Sequence, residues 1–293
     1  MNIADVRETG PVDPPELVAR VEELASIPSG ESLPSDAEQV VQRVLDALEA
    51  GDVRSARKDA AGTWNAVHWV KRGILLAFRA GAVVDMSPSG SVLKFFDKRT
   101  IPPRELSLAD GVRLVPGGSS IRRGAFVAPG VVCMPPMFVN AGAWVGTGTM
   151  IDSHALVGSC AQIGERVHLS AAAQVGGVLE PVNAAPVIIE DDVVVGGNCG
   201  VYEGTVVRAR AVLAAGTVLT RATPVFDLVN ERVIRGSPES PLEIPAGAVV
   251  VPGARAISSG WAKEQALSLQ TPIIVKYRDE RTDLSTGLEA WLR

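Results

Sequence analysis

Residues 145–169 read VGTGTMIDSHALVGSCAQIGERVHL, and an aliphatic side chain recurs at every sixth position of this stretch. The positions are Val145, Ile151, Val157, Ile163 and Leu169. The same spacing reaches back to Ile121 and forward to Val175, interrupted only by Cys133, which is itself small and apolar. Such a run does not fit an amphipathic helix, because the apolar residues of a helix recur at intervals of three and four.

A second set of hexads runs from Ile189 to Leu219, again with an aliphatic side chain at each sixth position. The step between the two sets is longer than two hexads, and we interpret residues 180–186 as a loop that leaves the repeat and rejoins it. Small side chains precede most of the aliphatic residues by two positions, and glycine often follows them. This pattern predicts a left-handed parallel β-helix, in which three hexads form one triangular coil and the coils stack ~4.8 Å apart. A β-sandwich with chance periodicity is the alternative.

The chain before the repeat is expected to be mainly helical. Residues 14–26 and 35–50 have helical patterns, and the second begins with a capping box at Ser35 to Glu38 and ends at Gly51. Residues 64–80 mix apolar and basic side chains and are predicted to form a third helix.

The repeat is expected to stop beyond Pro252, where residues 271–276 predict a strand and residues 282–292 a short helix. These patterns divide the chain into a mainly helical N-terminal domain, a β-helix domain and a small C-terminal extension. The predicted boundaries are residues 1–105, 106–255 and 256–293.

Composition restricts the possible partners and compartments. The 293 residues have a net charge of −5, which gives no reason to expect nucleic acid or an anionic membrane as a partner. No run approaches the ~18 uninterrupted apolar residues of a membrane helix, and the N-terminus does not resemble a signal peptide. The cysteines, Cys133, Cys160 and Cys199, lack CxxC spacing and are expected to be reduced, buried thiols of a cytoplasmic protein.

Several strings resemble one enzyme family, the tetrahydrodipicolinate N-succinyltransferases. The most specific of them span residues 157–164 and 176–181, and further similarity lies at residues 96–98, 145–152, 167–170 and 188–191. The resemblance implies transfer of a succinyl group from succinyl-CoA to the amino group of ring-opened tetrahydrodipicolinate, L-2-amino-6-oxopimelate. It also implies a homotrimer with active sites between neighbouring β-helices. It implies no tightly bound cofactor, with succinyl-CoA acting as co-substrate, and no metal.

The family resemblance also predicts substrate-binding residues. Arg113, ahead of the repeat, and Asp152, on it, match the family's substrate-binding arginine and aspartate. A dicarboxylate acceptor calls for guanidinium groups, and Arg122 is a further candidate. Asp152 follows the inward-facing Ile151, so its carboxylate should point outward, where it can hold or remove the proton of the acceptor amine.

The sequence departs from the family at a second acidic position. The family's proposed general base aligns with Gly200, which cannot move a proton. Glu203 also matches an acidic residue of the family, and we predict it as the catalytic substitute, with Glu180 as another candidate. For CoA, the stretch 215–255 is the predicted contributor. Within it Ala215 and Gly216 allow close approach to the backbone. Beyond it, Lys276 is a candidate phosphate ligand.

Other functions compatible with the same fold stay open at this point. A sugar or antibiotic acyltransferase would use a histidine as its base, and His154 is then the candidate. A γ-class carbonic anhydrase would need three converging imidazoles, but the histidines are only His68, His154 and His168. A relative without catalytic activity, or one that uses acetyl-CoA or serves a tabtoxin-type branch, is also compatible with the sequence.

Overall fold

The computed structural model describes residues 13–237 and 240–279. The chain begins with three helices and two short antiparallel hairpins, followed by a 3₁₀ turn at Leu108–Asp110. The helices are α1 (Pro15–Ser26), α2 (Ala37–Ala50) and α3 (His68–Ala80). The hairpin strands are β1 (Ala56–Lys58) with β2 (Trp64–Ala66), and β3 (Val83–Asp85) with β4 (Phe96–Lys98).

The repeat folds into coils of three short strands, and equivalent strands of successive coils pair in parallel. The first face consists of β5 (Arg113–Leu114), β8 (Val132–Cys133), β11 (Met150–Ile151), β14 (His168–Leu169), β17 (Val194–Val195), β20 (Val212–Leu213) and β25 (Ala248–Ala256). The second face consists of β6 (Ser120–Ile121), β9 (Phe138–Val139), β12 (Leu156–Val157), β15 (Gln174–Val175), β18 (Gly200–Val201) and β21 (Val218–Leu219). The third face consists of β7 (Phe126–Val127), β10 (Trp144–Val145), β13 (Gln162–Ile163), β16 (Ile188–Ile189), β19 (Val206–Val207) and β24 (Glu243–Ile244).

The predicted parallel β-helix is confirmed, because the aliphatic residues of the hexads form its core. In each two-residue strand the second residue points inward and the first points outward, as strand geometry requires. Ile151, Val157 and Ile163 are completely buried and come from three different faces. Burying each such side chain contributes about 1.5–3 kcal/mol, so the stacked hexads are the main source of stability in this part of the chain.

Each corner of the β-helix turns through a residue in the left-handed region, usually the third after an aliphatic position. Examples are Gly142 (φ 76°), His154 (φ 64°) and Gly216 (φ 78°). Glycine adopts this conformation without steric cost, whereas a side chain there is strained. We call the corner between the first and second faces the first corner. The second corner joins the second and third faces, and the third corner joins the third and first.

The N-terminal helices pack against the second corner and the third face. Ile74 of α3 lies against Gly142, and Leu45 of α2 lies against Gly124, where added Cβ atoms would be 2.5 and 2.6 Å from these side chains. On the third face, the Arg54 guanidinium stacks 3.9 Å from the Trp144 ring. The turns of the first corner remain open, since Ala215 and His154 are exposed.

A buried lysine holds the loop that interrupts the repeat. Lys71 of α3 is completely buried, and its Nζ donates to the carbonyl oxygens of Pro181 (3.1 Å) and Ala184 (2.8 Å). Residues 180–186 contain no strand, which confirms the predicted loop. Burial lowers the pKa of Lys71, and it raises the pKa of the neighbouring Cys160 thiol to about 11.

Two local predictions in the N-terminal region are wrong. Residues 64–66 form strand β2 instead of the first turn of α3, because this segment pairs with β1 and the Trp64 indole donates to Glu190 on the repeat. The predicted capping box at Ser35 to Glu38 is absent. Asp36 is the N-cap residue of α2, but its carboxylate makes no capping bond and instead accepts two hydrogen bonds from Arg20. In both cases a tertiary contact overrides a local preference.

Other predicted elements are confirmed. The first two helices agree with the prediction within two residues, and Gly51 ends α2 in the left-handed conformation. The strand predicted at residues 271–276 is part of β26 (Ser268–Tyr277). The helix predicted at 282–292 lies outside the described residues. The three cysteines are buried and form no disulfide.

The repeat is interrupted after Leu219 and resumes before Pro252, in hexads that the sequence pattern did not identify. After Leu219 the chain forms an antiparallel hairpin, β22 (Val225–Asp227) with β23 (Arg232–Ile234), and then resumes at β24 and β25. Ile244 and Val250 complete the aliphatic stack below Val207 and Leu213. Beyond the stack, β25 turns through α4 (Gly260–Glu264) and returns as β26. The division into three domains stays a prediction.

Candidate active site

Asp152 lies at the first corner, directly after strand β11. Its main chain is held by a hydrogen bond from its N–H to Leu169 O (2.9 Å), and its Oδ1 accepts from the Ser153 N–H (2.7 Å). The residue is half-buried, and no described side chain forms an ion pair with it. The carboxylate is therefore partly exposed and its charge is available to a ligand, and its predicted role stays a prediction.

Arg113 shares a face with Asp152. It lies in β5, the first strand of the first face, and its register partner Val132 pairs in turn with Met150. Arg113 is therefore two coils from the strand that carries Asp152, which corresponds to ~10 Å along the helix axis. Its side chain is exposed. The structure brings the two residues to one surface of the molecule.

The first corner continues from Asp152 to the predicted CoA residues through turns of small residues. The turn after β14 begins with one serine and two alanines, and the turn after β17 begins with two glycines and Asn198. The turn after β20 contains Ala215 and Gly216. Backbone hydrogen bonds join these turns, from Ala172 N to Ser153 O (2.8 Å), Asn198 N to Ala171 O (3.0 Å) and Gly216 N to Gly197 O (2.9 Å). These turns form a partly exposed track in which the largest side chain is that of Asn198. We call residues 170–172, 196–198 and 214–216 the corner track.

Gly216 has a structural reason to be glycine as well as a candidate binding role. Its φ of 78° is the left-handed conformation that every corner uses, and Asn198 and Ala172 adopt it at the equivalent positions of earlier coils. Gln270 of β26 lies at the end of the corner track, with its Nε2 3.5 Å from Gly216 O. No sequence pattern points to Gln270, because only the return of β26 over the repeat places it there.

Lys276 is separated from the corner track. It pairs with Val249 on the first face, whereas Gln270 of the same strand reaches the first corner six residues earlier, ~20 Å along an extended chain. Lys276 Nζ lies 3.4 Å from Asp279. The predicted role of Lys276 as a phosphate ligand stays a prediction.

Arg122 lies at the second corner and holds the N-terminal segment to the repeat. Its guanidinium forms an ion pair with Asp97 and donates to Ile101 O (3.3 Å), and it lies 5.4 Å from the centre of the Phe78 ring. The side chain is 18% exposed. Within one chain these contacts place Arg122 away from Asp152, and its substrate-binding role stays a prediction.

Glu203 also lies at the second corner. It is exposed, and its Oε2 accepts a hydrogen bond from the Arg221 N–H (3.1 Å), which is a contact with the turn of the next coil. Gly200, the position of the missing acid, lies on the outer surface of the second face in β18. Within one chain neither residue shares the first corner with Asp152, so a joint site would need a groove between two copies.

The structure describes no metal centre and no membrane-spanning helix. Within residues 13–237 and 240–279, no group of three His, Cys, Asp or Glu side chains is close enough to hold a metal ion. His154 lies in the turn that follows Asp152, and His168 lies on the first face beside Met150. None of the helices in these ranges is long and apolar enough to cross a bilayer.

Comparisons with known proteins agree with the sequence resemblance. A family model described as the N-terminal region of tetrahydrodipicolinate N-succinyltransferase matches residues 20–80. A second model, described as the hexapeptide repeat of succinyl-transferase, matches residues 186–221. The two models therefore recognise the helical region and the β-helix separately.

Curated relatives match nearly the whole chain. A 2,3,4,5-tetrahydropyridine-2,6-dicarboxylate N-succinyltransferase of Polynucleobacter asymbioticus is 40% identical over 271 residues, covering 90% of this chain and 93% of the relative. Proteins of the same name from Bradyrhizobium diazoefficiens (40% identity, 89% and 92% covered) and Idiomarina loihiensis (39% identity, 88% and 90% covered) agree with it. The resemblance inferred from the motifs is confirmed, and the chain belongs to the tetrahydrodipicolinate N-succinyltransferase family.

Proposed function

We propose that this protein transfers the succinyl group of succinyl-CoA to the amino group of L-2-amino-6-oxopimelate, the ring-opened form of tetrahydrodipicolinate. One observation carries the proposal. An unpaired carboxylate, Asp152, stands at one end of a corner track whose other end, Ala215 and Gly216, offers exposed backbone to an extended ligand. The reaction is acyl transfer to nitrogen in the succinylase branch of diaminopimelate and lysine biosynthesis.

The chemistry assigned to Asp152 follows from the charge of the acceptor. The acceptor amine is mostly protonated at neutral pH, and an ammonium has no lone pair for attack. A carboxylate near it binds the ammonium and removes a proton as the nitrogen attacks the thioester carbonyl carbon. The carbon–sulfur bond then breaks, and the CoA thiolate leaves and takes up a proton. Glu203 is the second proposed proton carrier. It lies at the second corner, across the second face from Asp152.

The remaining site residues bind the anionic parts of the substrates. Arg113 is proposed to pair with a carboxylate of the acceptor, because guanidinium groups bind carboxylates through two parallel hydrogen bonds. Ala215 and Gly216 are proposed to receive the pantetheine arm, with Lys276 near the phosphates of CoA. Arg122 can bind a carboxylate of the acceptor only if the acceptor is bound at the second corner.

We further propose that the protein is a homotrimer in the cytoplasm. Each triangular β-helix has a candidate acceptor site at its first corner and Glu203 at its second corner, and a neighbouring copy can bring the two corners together. The outward residues Phe138, Leu156 and Val218 leave apolar surface on the second face. The three free buried thiols fit a reducing compartment. Analytical ultracentrifugation measures the assembly, and a fully active monomer would refute the trimer.

The test of function is thiol release from succinyl-CoA and from acetyl-CoA, each with tetrahydrodipicolinate or L-2-aminopimelate as acceptor. Acceptor-dependent release that is faster with succinyl-CoA supports the proposal. Preference for acetyl-CoA would keep acyl transfer and refute the succinyl assignment. No release with either donor would refute the proposed function and direct attention to Gly200.

A further inference from the structure

The ring of Tyr202 lies against two glycines, Gly200 on the outer surface of the second face and Gly176 at the second corner. A Cβ added to Gly200 would be 2.5 Å from Cε2 of Tyr202 and 2.9 Å from both Cζ and Oη. A Cβ added to Gly176, in the coil before, would be 2.8 Å from Cδ1 of the same ring. The ring therefore extends from the second corner back toward the middle of the face, and it fills the space above Gly200.

Gly200 is required by this ring and not by its own backbone. It is absent from the corner positions with positive φ, so other residues could adopt its conformation in β18. A side chain at position 200 would have to displace the phenol of Tyr202. The phenol can be displaced because it is the far end of a flexible side chain. Gly200 and Tyr202 thus form a matched pair, in which the glycine makes room for the hydroxyl.

The hydroxyl of Tyr202 is available to a ligand. Among residues 13–237 and 240–279 the hydroxyl has no hydrogen-bond partner, and Tyr202 is half-buried. In the register of the second face, Gly200 lies between Gln174 and Val218, so these outward positions border the hydroxyl. A phenol placed above a glycine in this way can donate one hydrogen bond outward.

Gln174 lies on the second face between the coil of Asp152 and the coil of Tyr202. Its Nε2 donates to His154 O (3.1 Å) in that turn and to Ala172 O (3.2 Å) in the corner track. One side of Gln174 thus faces the first corner, and its strand neighbour is Gly200. Along the second face, Gln174 is therefore the polar residue between the coil of Asp152 and the coil that carries Tyr202.

We propose that the Tyr202 hydroxyl donates a hydrogen bond to a carboxylate of the bound substrates and so determines specificity. This inference rests on the proposed function, in which both the acceptor and the succinyl group carry carboxylates. A neutral phenol suits this role because, unlike an acidic side chain at position 200, it does not repel an anionic ligand. The carboxylate belongs either to the acceptor or to the succinyl group, and the two sources can be separated.

The first experiment compares wild type with Tyr202→Phe, which keeps the ring and removes only the hydroxyl. Calorimetry measures the Kd of L-2-aminopimelate, succinyl-CoA and acetyl-CoA. We expect a loss of about 10- to 100-fold for one carboxylate ligand, the range of a hydrogen bond to a charged group. Weaker binding of L-2-aminopimelate would show that the hydroxyl binds a carboxylate of the acceptor. Weaker binding of succinyl-CoA, with an unchanged Kd for acetyl-CoA, would show that it binds the carboxylate of the succinyl group. The proposal would be overturned if the Kd values of Tyr202→Phe and wild type agreed within twofold for every ligand. It would also be overturned if all three ligands lost the same affinity.

The matched control is Tyr277→Phe, because Tyr202 and Tyr277 are the two tyrosines of the chain. Tyr277 Oη donates to the buried Asp227 (2.8 Å), so its loss should lower the melting temperature without changing any of the three Kd values. Calorimetry needs no turnover. If the wild type releases no thiol but binds a carboxylate ligand more tightly than Tyr202→Phe does, the proposed function is refuted and this inference stands.

A second pair of variants tests the fit between the ring and the glycine. Gly200→Ala should displace the phenol and reproduce the loss seen in Tyr202→Phe. The same Gly200→Ala change in a Tyr202→Val background should add no further loss, since the ring is gone. Equal effects of Gly200→Ala in both backgrounds would show that the glycine serves the backbone and would overturn the matched pair.

Discussion

Asp152 and Ala215 lie on the same corner of the β-helix, three coils apart, although they are distant in the sequence. The turns between them carry only small side chains and are joined by backbone hydrogen bonds. Coils ~4.8 Å apart place the two residues ~14 Å from each other along the axis. A carboxylate and a length of accessible backbone thus share one edge of the molecule, which is what transfer from a long acyl carrier requires.

Asp152→Asn should lower kcat about 10²- to 10⁴-fold, because the amide cannot take the proton of the acceptor amine. Folding should be preserved, since the amide oxygen can still accept from the Ser153 N–H. Thiol release and thermal melting measure the two effects. Asp191→Asn is the matched control, because Asp191 is exposed at the third corner and accepts from the Glu165 N–H (2.7 Å). Unchanged kcat in Asp152→Asn would remove Asp152 from the catalytic residues.

Ala215→Phe should raise the KM for the acyl-CoA at least about 10-fold, because a bulky side chain would block the corner track. Ala215 is exposed, so the melting temperature should hardly change. Ala246→Phe is the control, since Ala246 is the equivalent exposed residue at the third corner, two positions after the aliphatic Ile244. Steady-state kinetics with varied succinyl-CoA measure the effect. The same KM in both variants would show that CoA does not follow the first corner.

Arg113→Met and Arg122→Met should have different effects. Arg113→Met should raise the KM of the acceptor about 10-fold or more, because it removes the proposed partner of a carboxylate. Arg122→Met removes the ion pair with Asp97 and the bond to Ile101 O, and should cost about 1–3 kcal/mol of unfolding free energy. Acceptor kinetics and urea unfolding compare the two. A raised acceptor KM only in Arg122→Met would reverse the assignment.

Glu190→Gln should destabilise the protein in a pH-dependent way. Burial opposes the charged form of Glu190, but hydrogen bonds from Lys58 and Trp64 outweigh it and lower its pKa to about 2 from 4.5. A lowered folded-state pKa stabilises the folded protein above the unfolded value, and this contribution is lost as the pH falls from about 4.5 to about 2. The shift corresponds to about 3 kcal/mol.

Urea unfolding of wild type and Glu190→Gln at pH 7 and at pH 3 measures this contribution. The difference in unfolding free energy should be largest at pH 7 and smaller at pH 3. Glu105→Gln changes an exposed carboxylate and should show no such difference. A Glu190→Gln effect that is independent of pH would show that the ion pairs with Lys58 and Arg208 are not its cause.

The hexads predicted the fold because a triangular coil places one large aliphatic side chain inward in every six residues. Ile151 and Val157 must be aliphatic to fill the narrow interior, and this demand is visible in the sequence itself. The position of Asp152 followed from the same periodicity, since the residue after an inward one begins a corner. The hexads at Ile244 and Val250 were missed because a hairpin interrupts the repeat before them.

Predictions that used only local patterns were less successful in the N-terminal region. Ser35 to Glu38 has the composition of a capping box, but Asp36 is drawn to Arg20 of the preceding helix. The residues that follow Trp64 predict a helix, but strand pairing with Lys58 and a hydrogen bond to Glu190 hold Trp64 in a strand. The partners Arg20 and Glu190 are distant in the chain from the residues that they hold.

The sequence by itself determined the β-helix, the corner position of Asp152 and the family, because each depends on a repeat or motif that is continuous along the chain. Tertiary structure alone decided which predicted residues share a surface. It separated Arg122 and Glu203 from Asp152, added Gln270 to the corner track and laid the Tyr202 ring over Gly200. The physical reason is that neighbours across coils, and across the helical region, are set by stacking and packing. Spacing in the sequence does not record those contacts.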